Sequence, residues 1–152
     1  MYLATVLLLM AVLPVGSVAV EHLWLHAPVL WLVGKWFVFW SAGVRLFVAG
    51  LRQFVQPRFT AEKIFRLKSG EALPIIRELG VANLATGTAG VLSLARADFV
   101  LPVAVIAALF YGIAAVRHAA DRKRSRNQEI AMVSDAFVAL VFAAYVGCVL
   151  LA

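Results

Sequence analysis

Five long apolar runs occupy most of the chain, at Tyr2–Val20, Leu32–Val55, Ala72–Leu94, Phe99–His118 and Glu129–Leu151. Each is close to the roughly 20 residues an α-helix needs to cross a hydrocarbon core about 30 Å thick. In lipid, a backbone must satisfy its own polar groups, so runs of this length are expected to be helical. The predicted fold class is all-α: an integral membrane bundle of five transmembrane helices with short connections. A water-soluble fold is excluded by composition, since 64% of the 152 residues are hydrophobic and large apolar patches would face water. One membrane domain over residues 1–152 leaves no room for a separate catalytic domain.

Charge bounds the partners and the orientation. The net charge is +6, and its distribution fits contact with anionic lipid headgroups rather than nucleic acid. Lysine and arginine gather after the second run (Arg52, Arg58, Lys63, Arg66, Lys68) and after the fourth (Arg117, Arg122, Lys123, Arg124, Arg126). The positive-inside tendency then places the loops at 56–71 and 117–127 in the cytoplasm and the Glu21–Lys35 connection outside. The lone Cys148 forms neither an internal disulfide nor a CxxC redox pair, and reads as a packing residue. The first run has a rival reading as a secretory signal, with Leu3–Leu13 as its apolar part and Ser17–Ala19 as a cleavage region. A start without lysine or arginine favours a retained helix.

Local signals place the boundaries. Pro57 stops the second run, Thr60 is a candidate N-cap, and residues 61–68 alternate Ile64, Phe65 and Leu67 with Lys63, Arg66 and Lys68. That pattern predicts a short amphipathic helix in the interface. Ser69, Asp98 and Asn127 are candidate caps for the third, fourth and fifth helices, with Glu71 and Glu129 in favourable first-turn positions. Trp24, Trp31, Trp36 and Trp40 read first as an aromatic belt at the outer interface, and second as a binding cage. Small residues recur along single helix faces: Gly43 and Gly50; Asn83, Gly87 and Gly90; Ala104, Ala108, Gly112, Ala115 and Ala119; Ala131, Asp135, Ala139, Ala143 and Gly147. Such stripes let membrane helices approach closely.

Charges within the runs are the candidate site. Arg45 lies ten residues before Val55, on the order of 15 Å from the basic end at 1.5 Å per residue. Glu78 lies roughly a turn and a half into the third run and Asp135 at similar depth in the fifth, with Arg52, Arg77 and His118 nearer the rim. Because the helices alternate in direction, all converge on the cytoplasmic half, where Arg45 is expected to pair with Glu78 or Asp135. One reading is architectural: a cluster that holds helices in register, with Asn83, Thr86 and Ser134 taking the remaining polar contacts. The other is a polar cavity in which Arg45 meets an anionic or carbonyl headgroup and an acidic residue accepts a proton. His22 and His26 have the i, i+4 spacing of a metal pair, but no third ligand shares their face and Pro28 follows closely. Metal binding is therefore not expected. A haem between His118 and either residue is excluded by their placement on opposite sides of the membrane.

Three stretches carry a resemblance. KWFVFWSAGVRLFVAGLRQFVQPRFTAE at 35–62, RELGVANL at 77–84 and AMVSD at 131–135 resemble an uncharacterised bacterial family of small membrane proteins, a domain of unknown function. From about Lys35 onward the chain is also similar to DoxX-like four-helix membrane proteins, on Arg45, Gly50 and Glu78-Leu79-Gly80. The resemblance implies a four-helix DoxX-like core preceded by an additional N-terminal helix, in a bacterial inner membrane. DoxX-like proteins are linked to quinone-dependent oxidation of sulfur compounds and to redox partner complexes. The expected function is a small accessory or scaffold subunit whose cavity takes a lipid or quinone-like ligand, with other membrane subunits or further copies as partners. Alternatives are a proton-coupled carrier or channel and a quinone-linked redox protein. No catalytic residue set is recognisable.

Overall fold

The computed structural model describes residues 2–65, 67, 70–122 and 124–152 and is helical throughout its regular elements. Five long helices are present among these residues: α1 at Leu3–Leu25, α2 at Val29–Val55, α3 at Leu73–Leu92, α4 at Val100–Ala120 and α5 at Arg126–Leu151. α1, α2, α5 and the stretch Ala97–Ala120 containing α4 are long and apolar enough to cross a membrane. α3 is 20 residues long but is not among them, because Arg77, Glu78, Asn83 and its glycines dilute its apolar character. With four such helices and an apolar outer surface that includes Leu23, Trp24, Leu109 and Leu140, the protein is a membrane protein.

The first connection is shorter than expected. The apolar runs predict a gap between Val20 and Leu32, yet α1 runs to Leu25 and α2 resumes at Val29. The turn forms because His26 takes a left-handed conformation (φ 51°), its amide donating to His22 O, and Pro28 then starts the new helix. Helix persists through the two charged positions because they neutralise each other: Lys35 Nζ donates to Glu21 Oε1 at 2.7 Å.

Helices α1 and α2 each contain a widened, π-helical turn. In α1 it covers Leu8–Val12, where the Leu13 amide reaches back to Leu8 O, immediately before Pro14. A proline ring collides with the carbonyl four residues earlier, so a widened turn relieves the clash. In α2 it covers Val38–Val44, and the Arg45 amide reaches Trp40 O. The extra residue rotates the rest of α2, so Gly43 and Gly50 face α3 while Arg45 faces the bundle interior.

Packing follows two pairings. α2 and α3 run antiparallel with backbones almost touching: a Cβ on Gly43 would lie 2.8 Å from the Gly90 carbonyl carbon, and one on Gly50 would lie 2.6 Å from Gly80 O. α4 and α5 pair with Gly112 facing Ala139, and each buries one face, Ala104, Ala107, Tyr111 and Ala115 on α4 and Ala131, Asp135, Val138 and Phe142 on α5. The fifth-helix stripe therefore departs from the expected one. Ala143 is exposed and Gly147 meets nothing within 4 Å, because the buried face steps by three and four residues rather than by four. α1 closes the bundle, with Val6 and Met10 joining a core that includes Phe37, Leu46, Val103 and Phe142.

Three capping expectations change. Ser125, not Asn127, caps α5: its Oγ accepts from the Gln128 amide at 3.2 Å, and Gln128 Oε1 accepts from the Ser125 amide at 2.7 Å. Asp98 makes no cap and instead accepts from Arg96 at 3.0 Å. Thr60 lies inside a helical run rather than ahead of one, since helix begins at Pro57–Phe59 and widens over Thr60–Ile64. Ser69, the expected cap of α3, lies outside the described residues, as do Arg66, Lys68 and Lys123 of the two basic loops.

Candidate functional site

A cavity of about 280 Å³ lies at the end of the bundle that carries the 57–65 connector, and every long helix contributes to it. Thr5, Val6 and Leu9 come from α1, Leu79 and Asn83 from α3, and Ala131 and Asp135 from α5. α2 supplies Arg45, Ala49, Arg52 and Gln53; α4 supplies Phe110, Tyr111, Ala114 and His118. The connector folds beneath these helices and closes the floor with Phe59, Thr60, Ile64 and Phe65. Thr60 and Ala61 are buried there, so this segment is part of the bundle rather than a separate surface helix.

Of the seven residues singled out in the sequence, Arg45, Arg52, Asn83, His118 and Asp135 line this cavity. Arg77 and Glu78 do not. Both are exposed on the far side of α3, because Gly80 and Asn83 define the face that α3 turns to α2. The expected Arg45–Glu78 pairing is therefore absent.

Arg45 and Asp135 approach from α2 and α5, near enough for the guanidinium charge to act on the carboxyl. Among the described residues, however, the ion pairs are Lys35–Glu21, Arg96–Asp98 and Arg124–Glu129, and none involves Arg45 or Asp135. Asp135 is buried, at 6% exposure. Arg45 Nε is also buried and has no hydrogen-bond partner. An unsatisfied charged donor in a low-dielectric interior costs several kcal/mol in order of magnitude. Arg45 also lines the cavity, so its guanidinium brings a positive charge to the cavity wall.

The other polar groups are held in place by protein contacts. Arg52 lies over the Phe59 ring, 3.5 Å from its centroid, which fixes its charge at the rim. Asn83 Nδ2 donates to Gln53 Oε1 at 2.8 Å, joining α3 to α2 beside the cavity. Tyr111 donates its hydroxyl hydrogen to Ser41 O at 2.5 Å, and Ser41 Oγ donates to Leu9 O at 3.3 Å. These bonds tie α4 and α1 to the widened turn that positions Arg45, and neither was anticipated from the sequence. A tyrosine in an apolar helix gives no signal of such a bond; only the backbone acceptor exposed by the widened turn reveals it. Ser134, expected in the polar cluster, donates instead to its own helix at Ile130 O and Ala131 O.

The opposite end holds a separate cluster. Glu21 accepts from Lys35 at 2.7 and 2.8 Å and from the Trp36 indole at 2.7 Å, while Lys35 lies 4.9 and 4.8 Å from the centroids of the Trp31 and Trp36 rings. The tryptophans thus enclose one of the protein's own cations. His22 bonds Ala27 O through Nδ1, and His26, in its left-handed conformation, leaves the helical register that would have placed both rings together. No group of three His, Cys, Asp or Glu side chains suited to a metal occurs among the described residues.

One family match spans the chain: a model described as "Family of unknown function (DUF6790)" covers residues 1–152. Neither a curated protein nor a solved structure matches it.

Proposed function

Since the chain belongs to this family of unknown function along its whole length, we propose from its geometry that it is an integral membrane binding protein, an accessory or scaffold subunit rather than an enzyme. Its cavity holds the hydrogen-bond-accepting headgroup of a lipid or quinone-like molecule, and Arg45 is the principal contact. The observation that carries this reading is that Arg45 lines the cavity and forms no ion pair among the described residues, although the Asp135 carboxyl lies nearby. The lining supports an amphiphile: Phe59, Phe65, Phe110 and Leu46 suit an apolar body, and Arg45, Arg52 and His118 suit a polar end.

The proposed setting is a bacterial inner membrane crossed five times. α3 counts as the fifth span because it runs antiparallel along α2 from Gly80 to Gly90, matched to Gly50 and Gly43. α2 to α5 would then form a DoxX-like core with α1 added. The basic connectors would face the cytoplasm, and the cavity would open there.

The test is mass spectrometry of small molecules that co-purify with the protein in native nanodiscs. A stoichiometric amphiphile with wild type and its loss with a folded Arg45→Gln variant are expected. Equal recovery with both would overturn the reading. A proton-linked carrier is the second reading, favoured by the buried Asp135 carboxyl. It requires proton flux in proteoliposomes that disappears in Asp135→Asn.

A further inference from the structure

A second hollow lies back to back with the Arg45 cavity. It is an apolar groove of about 550 Å³ between α1 and α5, open on the outer surface of the bundle. Leu3, Leu7, Met10 and Ala11 form one wall, and Ile130, Val133 and Phe137 form the other, which Ser134 and Glu129, the latter ion-paired with Arg124, also line. The same turns of the same two helices line the cavity through Thr5 and Leu9 on α1, and through Ala131 and Asp135 on α5. Val6 borders both spaces and is only 1% exposed, so one side chain separates the polar pocket from the lipid-facing groove.

Resting on the reading of Arg45 given above, we propose that the ligand is a membrane phospholipid with a monoanionic phosphodiester head, bound through the seam between α1 and α5. The head sits at Arg45, and one acyl chain lies in the groove beyond Val6. Size is the first argument. About 280 Å³ is at the small end of ligand sites, enough for a headgroup but not for a whole lipid. The groove supplies the missing apolar volume, adjoining the cavity on the side that faces the bilayer. Charge is the second argument. Arg45, Arg52 and Asp135 leave the cavity with one net positive charge when His118 is neutral, which a single anionic head neutralises. A zwitterionic head or an uncharged carbonyl leaves that charge uncompensated. Location is the third. The groove sits at the end of the bundle bearing Arg58, Lys63, Arg117, Arg122 and Arg126, the region that attracts anionic lipid. The widened turn at Leu8–Val12 begins two residues beyond Val6 and gives α1 a break in its helical ladder beside the seam.

The experiment is delipidation of the purified full chain, followed by addition of phosphatidylglycerol, phosphatidylcholine, a long-chain fatty acid or a quinone, with retained molecules counted by native mass spectrometry. Wild type is expected to retain one phosphatidylglycerol, favoured over phosphatidylcholine by at least about tenfold, a difference of 1.4 kcal/mol. Ala11→Phe and Val133→Phe fill the groove without touching Arg45, and each is expected to reduce that retention at least about tenfold. Leu140→Phe, on a lipid-facing position of α5 away from the groove, is expected to leave it unchanged. Undiminished retention in both groove variants overturns the proposed route while leaving Arg45 as the head contact. Preference for phosphatidylcholine overturns the requirement for a net negative head, and preference for fatty acid or quinone overturns the phosphodiester assignment. Retention that survives Arg45→Gln overturns the cavity reading itself.

Discussion

The Tyr111 hydroxyl of α4 donates a hydrogen bond to the backbone carbonyl of Ser41, inside the widened turn of α2 that ends one residue before Arg45. A side chain on one helix thereby holds the backbone that orients the cavity's central cation. Both partners are buried, Tyr111 at 1% exposure and Ser41 at 0%, so no solvent replaces the bond if it is lost. Tyr111→Phe keeps the ring but removes this bond to the carbonyl. The expected cost is about 1–3 kcal/mol in resistance to denaturation in detergent micelles. Ligand retention should fall with it, although residue 111 would keep its place in the wall.

Glycine substitutions should divide by position. At Gly43 and Gly90 an added methyl meets the backbone of the facing helix at 2.8 and 2.6 Å, so neither α2 nor α3 can yield without separating. Gly43→Ala and Gly90→Ala should each destabilise the protein by about 1–3 kcal/mol or more. Gly16 and Gly147 meet nothing within 4 Å, and their change to alanine should leave stability unchanged or raise it by a few tenths of a kcal/mol to about 1. Thermal unfolding of the four single variants checks this contrast.

The Glu21–Lys35 pair makes a further test. The two side chains retain 14% and 21% exposure, and the Trp36 indole adds a third bond. Removing one partner leaves a charge in a largely apolar setting, so Glu21→Gln or Lys35→Met alone should be costly. The double variant should lose less than the sum of the singles, as a double-mutant cycle would measure.

Asp135 separates an anion site from a mere lock between helices. If the carboxyl offsets part of the cationic field around an anionic head, Asp135→Asn should strengthen retention of anionic lipid. Arg45→Gln should abolish it. If the two residues only hold helices together, both variants should lower stability in parallel, with no opposite effects on lipid.

Much of the helical layout was legible because apolar length is a strong constraint in lipid. The first turn is less so: the apolar runs stop at Val20 and resume at Leu32, whereas helix continues through Glu21, which Lys35 neutralises, and resumes at Val29. Asn127 is the expected α5 cap, yet Ser125 takes that place because Gln128 three residues later completes a capping box with it. The small-residue pattern pointed to Gly43, Gly50, Gly87 and Gly90, all of which meet backbone across the α2–α3 contact. The same pattern misled in the outer half of α5, where Val138, Phe142 and Tyr145 form the buried face. Bulky side chains there fit against small ones on α4, and Tyr145 fits against Gly34 of α2, a complementarity that one helix read alone does not display. At the candidate site, charge depth drew attention to Arg45 and Asp135 but gave no sign of the two widened turns. Those turns rotate one half of a helix against the other, and the rotation leaves no periodicity to detect.

The most direct measurement is an experimental density map of the protein crystallised from a lipid phase containing phosphatidylglycerol. The account predicts non-protein density with an acceptor atom about 2.7–3.2 Å from a nitrogen of the Arg45 guanidinium, continuing past Val6 into the groove between α1 and α5. An Arg45 guanidinium closed entirely onto Asp135 or another protein group, in a cavity containing water alone, would contradict it.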